Sequence, residues 1–333
     1  MTDVVLGFSG GVDSAVSAAL LKKQGYAVHG LYLDNADERA RRDAEETADF
    51  LGIPLTVLDI RAELEERVCA PFAASYRRGK TPNPCVRCNP TVKFKNLITE
   101  AGRLGAEHIA TGHYARAENG ALYKGRPAND QSYMLSSLTR EQLARCVFPL
   151  GGYEKREVRA LAEELALPVA KKPDSMEICF IPDKDYVRWL SARAPLPGPG
   201  PFVFRGAVVG EHAGICRYTV GQRRPGLYEG RKLYIKRIDA ASNTIELALW
   251  EELFETELLA ADFNWLCDAP TGPIEATVRV RHTKWEEPPC TAYPLPDGGV
   301  RIVCETPVRA PAPGQAAVLY AGERVLGGGR IAP

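Results

Sequence analysis

The chain has no apolar run approaching the roughly 20 residues that a membrane span requires, and its start, MTDVVLGFSGG, has neither the basic flank nor the apolar core of a secretory signal. No membrane association is expected, and a cytoplasmic location is. There is no excess charge of either sign, with 42 Lys+Arg against 42 Asp+Glu. No global field attracts a polyanion, so any nucleic-acid surface has to be local. An even, closely spaced cysteine framework is missing too: nine cysteines are scattered over 333 residues, which excludes a disulfide-stapled mini-protein and makes reduced thiols the default. Internal repeats are absent. What is present is 45% apolar residues, enough to fill two or three domain cores.

The N-terminal half alternates short apolar runs with helical patterns. VVLGF (4–8), AVHGLYL (27–33), LTVLD (55–59) and EHIATG (107–112) read as strands. Helices between them stop at Gly25, Gly52 and Gly105. Strand–helix alternation predicts an α/β fold with a doubly wound parallel sheet, whose ligand lies at the C-terminal ends of the strands. At 194–201 the texture changes to APLPGPGP, which cannot continue a helix or pair within a sheet and reads as a linker. Beyond it, β-branched and aromatic runs such as KLYIKRI, EATVRVRH, VRIVCE and AAVLYAG alternate with turn residues. The expected organisation is a nucleotide-type catalytic domain over 1–193, the linker 194–201, a small central β domain over 202–255 and a C-terminal β-barrel-like domain over 256–333.

The first chemical motif is GFSGGVDS, comprising Gly7, Phe8, Ser9, Gly10, Gly11, Val12, Asp13 and Ser14. It follows a strand and opens a helix, so unpaired backbone N–H groups and the positive helix end can hold a phosphate, while Gly10 and Gly11 let the backbone approach. No lysine precedes Ser14, so this is not a Walker loop, and the glycine spacing is not the dinucleotide fingerprint. Asp13 adds a carboxylate suited to Mg²⁺ on a polyphosphate. The plainer reading is a tight turn capped by Ser9.

SGGVDS resembles the loop of enzymes that cleave ATP between the α and β phosphates and activate an oxygen as its adenylate. TPNPCVRCN (81–89) with KFK, ATGHYAR (110–116), DQSYML (130–135), KKPDSMEICFIPD (171–183), YTVGQRR (218–224) and PGQAAVLY (313–320) narrow this further. In this order they resemble the bacterial tRNA-specific 2-thiouridylases, over residues 4 to 329. The resemblance implies an adenine-nucleotide alpha-hydrolase type of sheet, ATP and Mg²⁺ as cofactors, tRNA as partner, and a persulfide sulfur donor such as a cysteine desulfurase or relay protein. It also places Leu33 and Gly112 at the nucleotide.

Such chemistry has its own logic. The C2 carbonyl of uracil is a poor electrophile with a poor leaving group, and attaching AMP to its oxygen answers both difficulties. Sulfur then arrives from a cysteine persulfide, and a second thiol splits the S–S bond. The resemblance makes Cys179 the persulfide carrier and Cys88 the thiol that forms a disulfide with it. On the local pattern alone Cys179 reads as a packing thiol. The position three before Cys88, commonly aspartate in the family, is Cys85 here. Two readings stay open: Cys85, Cys88 and Cys179 hold an iron–sulfur cluster with one free iron, or Cys85 is a spare thiol beside a low-pKa nucleophile.

RNA binding has to come from local groups. Arg77, Arg78, Lys80, Lys93 and Lys95 flank the cysteine loop, and Arg281, His282, Lys284 and Trp285 form a second cluster. By resemblance Asn83, Pro84 and Cys85 line the pocket of an unstacked base, and His113, Asp130, Gln131, Arg281, His282 and Gln315 contact tRNA. The family's lysine before DQ is replaced by Asn129. Two other functions are consistent with parts of the sequence: an ATP-pyrophosphatase acting on a small substrate, and a cysteine-ligated iron–sulfur or zinc protein that binds RNA.

Overall fold

The computed structural model describes residues 2–174, 178–224, 226–282 and 287–333. Four parallel strands are β1 (Thr2–Gly7), β2 (Tyr26–Asp34), β3 (Leu55–Asp59) and β4 (His108–Ala110); a hairpin of β5 (Ala115–Glu118) and β6 (Ala121–Lys124) follows, then a two-residue edge strand β7 (Cys146–Val147). The sheet order is β3-β2-β1-β4-β7, the doubly wound parallel arrangement expected from the sequence. Val4, Val5 and Leu6 of the central strand are fully buried, as a strand covered by helices on both faces must be. Helices α1 (Val12–Lys23) and α2 (Glu38–Leu51) follow β1 and β2, and Gly52 closes α2 in the left-handed conformation at φ 60°. Strand order reverses beside β1, so a crevice opens beyond the ends of β1 and β4.

A small sheet follows, with β8 (Gly200–Phe204), β9 (Ala207–His212), β10 (Tyr234–Asp239) and β11 (Thr244–Ala248) in the order β10-β11-β8-β9. Gly200 and Pro201, read from the sequence as linker, instead open β8. Proline is tolerated at a strand start, and a Cβ at Gly200 would lie 2.2 Å from the Asn243 carbonyl oxygen.

The C-terminal unit contains β12 (Phe254–Trp265), β13 (Ile274–Arg279), β14 (Pro289–Pro294), β15 (Val300–Arg309), β16 (Ala316–Ala321) and β17 (Arg324–Ile331). Strand β12 pairs with both β15 and β17, which closes the sheet into a barrel and removes its edges. Strand β17 also pairs with β6 through Arg324 and Tyr123, so a hairpin from the first domain extends the barrel sheet. The same junction is fixed by Tyr133, whose buried hydroxyl donates to the Ala316 carbonyl at 2.9 Å and accepts from its N–H at 3.1 Å.

Candidate active site

The turn after β1 is shaped by steric necessity. Gly10 has φ 66°, and a Cβ there would lie 2.5 Å from the Ala40 carbonyl of α2, whereas a Cβ on Gly11 would meet only Ser9 Oγ at 3.5 Å. The two glycines therefore differ: Gly10 admits α2, and Gly11 alone keeps the open side clear for a ligand. Ser9 does not cap α1. Gly11 occupies that position with no side-chain acceptor for the first helical N–H groups; the Ser9 hydroxyl is instead hydrogen-bonded with Ser14 Oγ at 3.3 Å, and Ser14 Oγ donates to Gly11 O at 3.0 Å. The helix start is thus left with donors for an anion. Phe8 and Val12 bury their side chains in the core, so only their backbone faces the loop.

Asp13, in the first turn of α1, does not stand free. Lys155 Nζ contacts its two carboxylate oxygens at 2.7 and 2.8 Å, and Tyr114 donates its hydroxyl to Oδ1 at 2.7 Å. Burial, followed by the Asp13 charge, pushes the Tyr114 phenol far up, so it stays a donor. Gly112 completes this corner, because a Cβ there would come within 3.1 Å of the Asp13 backbone. Placing Mg²⁺ on Asp13 requires Lys155 to move away.

The cysteine loop is positioned from both ends of the chain. Asn83 caps the helix Pro84–Cys88 by accepting from Cys85 N–H at 3.1 Å and Val86 N–H at 3.3 Å, and a π-helical turn, Asn89–Lys93, follows directly, a distortion often found at functional sites. Barrel residues clamp the preceding turn. Thr81 N–H donates to Pro313 O at 2.8 Å, and Gln315 Nε2 donates to Thr81 O at 2.9 Å.

Cys88 and Phe180 pack in one apolar cluster with Leu33, and Asn35 Nδ2, just past the end of β2, donates to the Cys179 carbonyl at 3.3 Å. The Cys179 loop therefore lies against the C-terminal end of the sheet, next to Leu33. Ser175, Met176 and Glu177 of the DSMEICF motif fall outside the described residues. Cys85 and Cys179 reach solvent and Cys88 is half-buried. The expectation of a low-pKa nucleophile is not met: desolvation by the surrounding protein pushes Cys88 up to about 11 and raises Cys85 and Cys179 as well, with the Lys93 ammonium as the opposing influence on all three. Nor is the cluster triad assembled, for among the described residues no three His, Cys, Asp or Glu side chains are grouped to hold a metal ion.

Of the residues expected to contact RNA, Arg281, His282 and Gln315 come together with Thr81, Thr219 and Ala312 around an open cleft of about 210 Å³. Arg281 Nη2 donates to Val220 O at 2.7 Å and Ala310 O at 2.8 Å, bridging the small sheet and the barrel. His282 packs against Tyr133, and burial lowers its pKa. Asp130 is a correction. Its carboxylate is buried and already accepts from Gly125 N–H, Ser132 N–H, Ser132 Oγ and Arg279 Nη1 at 2.7 to 3.0 Å, so it is a tie between domains with no acceptor left for RNA. Gln131 Oε1 is similarly engaged by Tyr114 N–H at 3.0 Å. The half-buried His113 stacks on Phe94 and shares a 2.7 Å hydrogen bond with Thr111; burial holds it well below its usual pKa, so it is neutral. Lys95 pairs with Glu63, while Lys284 and Trp285 lie outside the described residues.

The sequence did not single out Lys155, Tyr114, Asn35 or Thr81. Each acts through a partner 100 or more residues away or through one hydrogen bond, and no local pattern marks such contacts. Asn129, the departure from the family's lysine, accepts from Lys155 N–H at 3.2 Å through Oδ1 and so fixes the start of the lysine's helix.

Comparisons with known proteins agree with this architecture. A model described as the tRNA methyl transferase HUP domain matches residues 2–183, the tRNA methyl transferase PRC-barrel domain matches 197–248, and the aminomethyltransferase beta-barrel domain matches 255–331. The tRNA-specific 2-thiouridylase MnmA of Pelotomaculum thermopropionicum is 44% identical over 355 residues, covering 99% of this chain and 97% of the relative. That of Syntrophotalea carbinolica is 42% identical over 346 residues, covering 99% and 98%. A solved 4-thiouridine synthetase–RNA complex with bound ATP is 20% identical, with a TM-score of 0.37 over 58% of this chain and 50% of that one. With such identity along almost the full length of both sequences, the chain belongs to the bacterial tRNA-specific 2-thiouridylase family, MnmA.

Proposed function

We propose that this chain uses ATP to replace the C2 oxygen of the wobble uridine of tRNA with sulfur. The observation that carries the reading is the Asn35 hydrogen bond to the Cys179 carbonyl, which holds a thiol loop against the nucleotide end of the sheet, beside the cluster that contains Cys88. The uncapped start of α1 binds the phosphates of ATP. The uridine C2 oxygen attacks the α-phosphorus, pyrophosphate leaves, and C2 gains AMP as a leaving group. The terminal sulfur of a Cys179 persulfide then attacks C2. Cys88 thiolate attacks Cys179 Sγ, the S–S electron pair goes to the transferred sulfur, and collapse at C2 expels AMP. A Cys88–Cys179 disulfide remains, and an external thiol reductant restores it. The persulfide comes from a donor protein carrying an activated sulfur. Lys93 favours the thiolate forms, and the cleft at Arg281, His282 and Gln315 receives the RNA.

The test is nucleoside mass spectrometry of unmodified tRNA after incubation with the protein, ATP, Mg²⁺ and a persulfide donor. Wild type should form 2-thiouridine, and Cys179→Ala should form none while retaining tRNA-dependent pyrophosphate release. Pyrophosphate release that ignores tRNA would instead point to a small substrate. Undiminished thiolation by both Cys88→Ala and Cys179→Ala would remove the thiols from the mechanism.

A further inference from the structure

Lys155 sits where helix energetics disfavour it. It is the first residue of the helix Lys155–Glu164, and a cation in the first turn opposes the helix dipole. Its ammonium is nevertheless held beside the start of α1, 2.7 and 2.8 Å from the Asp13 oxygens and 2.9 Å from Asp174 Oδ1. The backbone that carries it is fixed by Asn129 and by a reciprocal capping box of Glu154 and Glu157. Both ends of this lysine are therefore set by specific contacts.

Each carboxylate bonded to this lysine also has a second donor. Asp13 also accepts from the Tyr114 hydroxyl at 2.7 Å, and Asp174 also pairs with the Arg159 guanidinium. With Lys155 removed, Asp174 keeps a guanidinium while Asp13 keeps only a neutral hydroxyl, which leaves the Asp13 charge open to another cation. Neither side chain is sealed off: Lys155 is 21% exposed and Asp13 33%. Immediately adjacent are the unoccupied N–H donors of α1, where a phosphate chain binds. Lysine has a flexible stem and a point charge, which suits transfer between neighbouring anions.

We infer that Lys155 is the phosphate-binding lysine that the loop itself lacks: it rests on Asp13 in the free protein and moves onto the β- and γ-phosphates of ATP, leaving Asp13 to the Mg²⁺ that accompanies them. The loop's missing lysine is thus supplied from 142 residues further along the chain. This rests on the reading of the GFSGGVDS turn as a nucleotide cradle.

Two measurements test it. The first compares Mg²⁺-ATP and AMP binding by equilibrium dialysis in wild type, Lys155→Met and Lys155→Arg. The methionine variant should bind ATP roughly ten- to a hundredfold more weakly, as expected for a lost charge-assisted contact. Its affinity for AMP should be unchanged, and arginine should restore part of the ATP affinity. The second uses wild type only: Mg²⁺-ATP and Mg²⁺-pyrophosphate, but not AMP, should protect Lys155 from reductive methylation, read by peptide mass spectrometry. Equal ATP affinity in wild type and Lys155→Met, an equal loss for ATP and AMP, or no protection by ATP would make Lys155 a structural ion pair and overturn the inference. Failure of wild type to bind either nucleotide would bring down the cradle reading, and the inference with it.

Discussion

The Asp130 carboxylate and the Arg279 guanidinium meet at 2.7 Å with side chains only 5% and 15% exposed, and the pair joins the turn before Tyr133 to the barrel strand β13. Arg279 also pairs with Glu287, which in turn pairs with Lys124 of the hairpin at 2.6 Å. Removing one partner of a buried network leaves uncompensated charge. Arg279→Met should therefore lower the unfolding free energy by about 3–5 kcal/mol, measured by denaturant titration. A midpoint equal to wild type would show that the network contributes nothing to the junction.

The two central glycines of the loop should separate stability from binding. Gly10→Ala places a Cβ 2.5 Å from α2 backbone at φ 66° and should cost about 1–3 kcal/mol or more. Gly11→Ala meets no backbone, so its melting temperature should stay near wild type while ATP affinity falls. The reverse pattern in calorimetry and dialysis would contradict the assignment of Gly11 to the ligand side.

Asn35 tethers the Cys179 loop. In Asn35→Ala the Cys179 carbonyl loses its donor, and the yield of the Cys88–Cys179 disulfide after one turnover should fall while tRNA-dependent pyrophosphate release persists. Quantifying the disulfide-linked peptide against released pyrophosphate tests this. Parallel loss of both would mean that Asn35 serves the sheet end as a whole.

The raised thiols predict an alkaline rate profile. Desolvation holds Cys88 at about 11 against an ordinary value near 9, so the folded protein keeps its proton where the unfolded chain releases it. The contribution of this thiol to stability is complete below about pH 9 and is lost as pH rises toward 11. Alkylation of Cys88 by iodoacetamide should keep rising through pH 10, because only the thiolate reacts. Lys93→Met should slow it at every pH in this range, since the Lys93 charge opposes desolvation. A plateau by pH 9 in peptide-resolved mass spectrometry would show that an unseen cation lowers the thiol.

The parallel sheet was legible because its strands are short apolar runs separated by amphipathic helices ending at Gly52 and Gly105, and those signals are local. The two-residue strand Cys146–Val147 carries no such signal, being defined only by its pairing with β4. Likewise the loop GFSGGVDS announces an anion site, yet the difference between Gly10 and Gly11 depends on where α2 lies. The thiols were identifiable through resemblance. Their raised pKa was not, since desolvation is set by packing that brings Phe180 and Cys88 into one cluster. Asp130 shows the opposite failure: a polar residue in a motif was read as an RNA contact, although Arg279, 149 positions away, claims its charge.

Strand β17 has three neighbours, pairing with β16, with β12 and, at Arg324, with the hairpin that directly follows β4. That hairpin is made early in synthesis, and Arg116 on it contacts Glu323, 207 positions later, at 2.6 Å. During translation the hairpin edge therefore stays open while the small sheet and most of the barrel emerge from the ribosome. When β17 arrives, one strand closes the barrel and covers that edge. The barrel residues Pro313 and Gln315, which hold Thr81 ahead of the cysteine loop, are made just before it. Assembly of the thiol site is thereby coupled to synthesis of the barrel, so a nascent chain that already contains every residue of the GFSGGVDS loop still lacks the clamp on the cysteine loop.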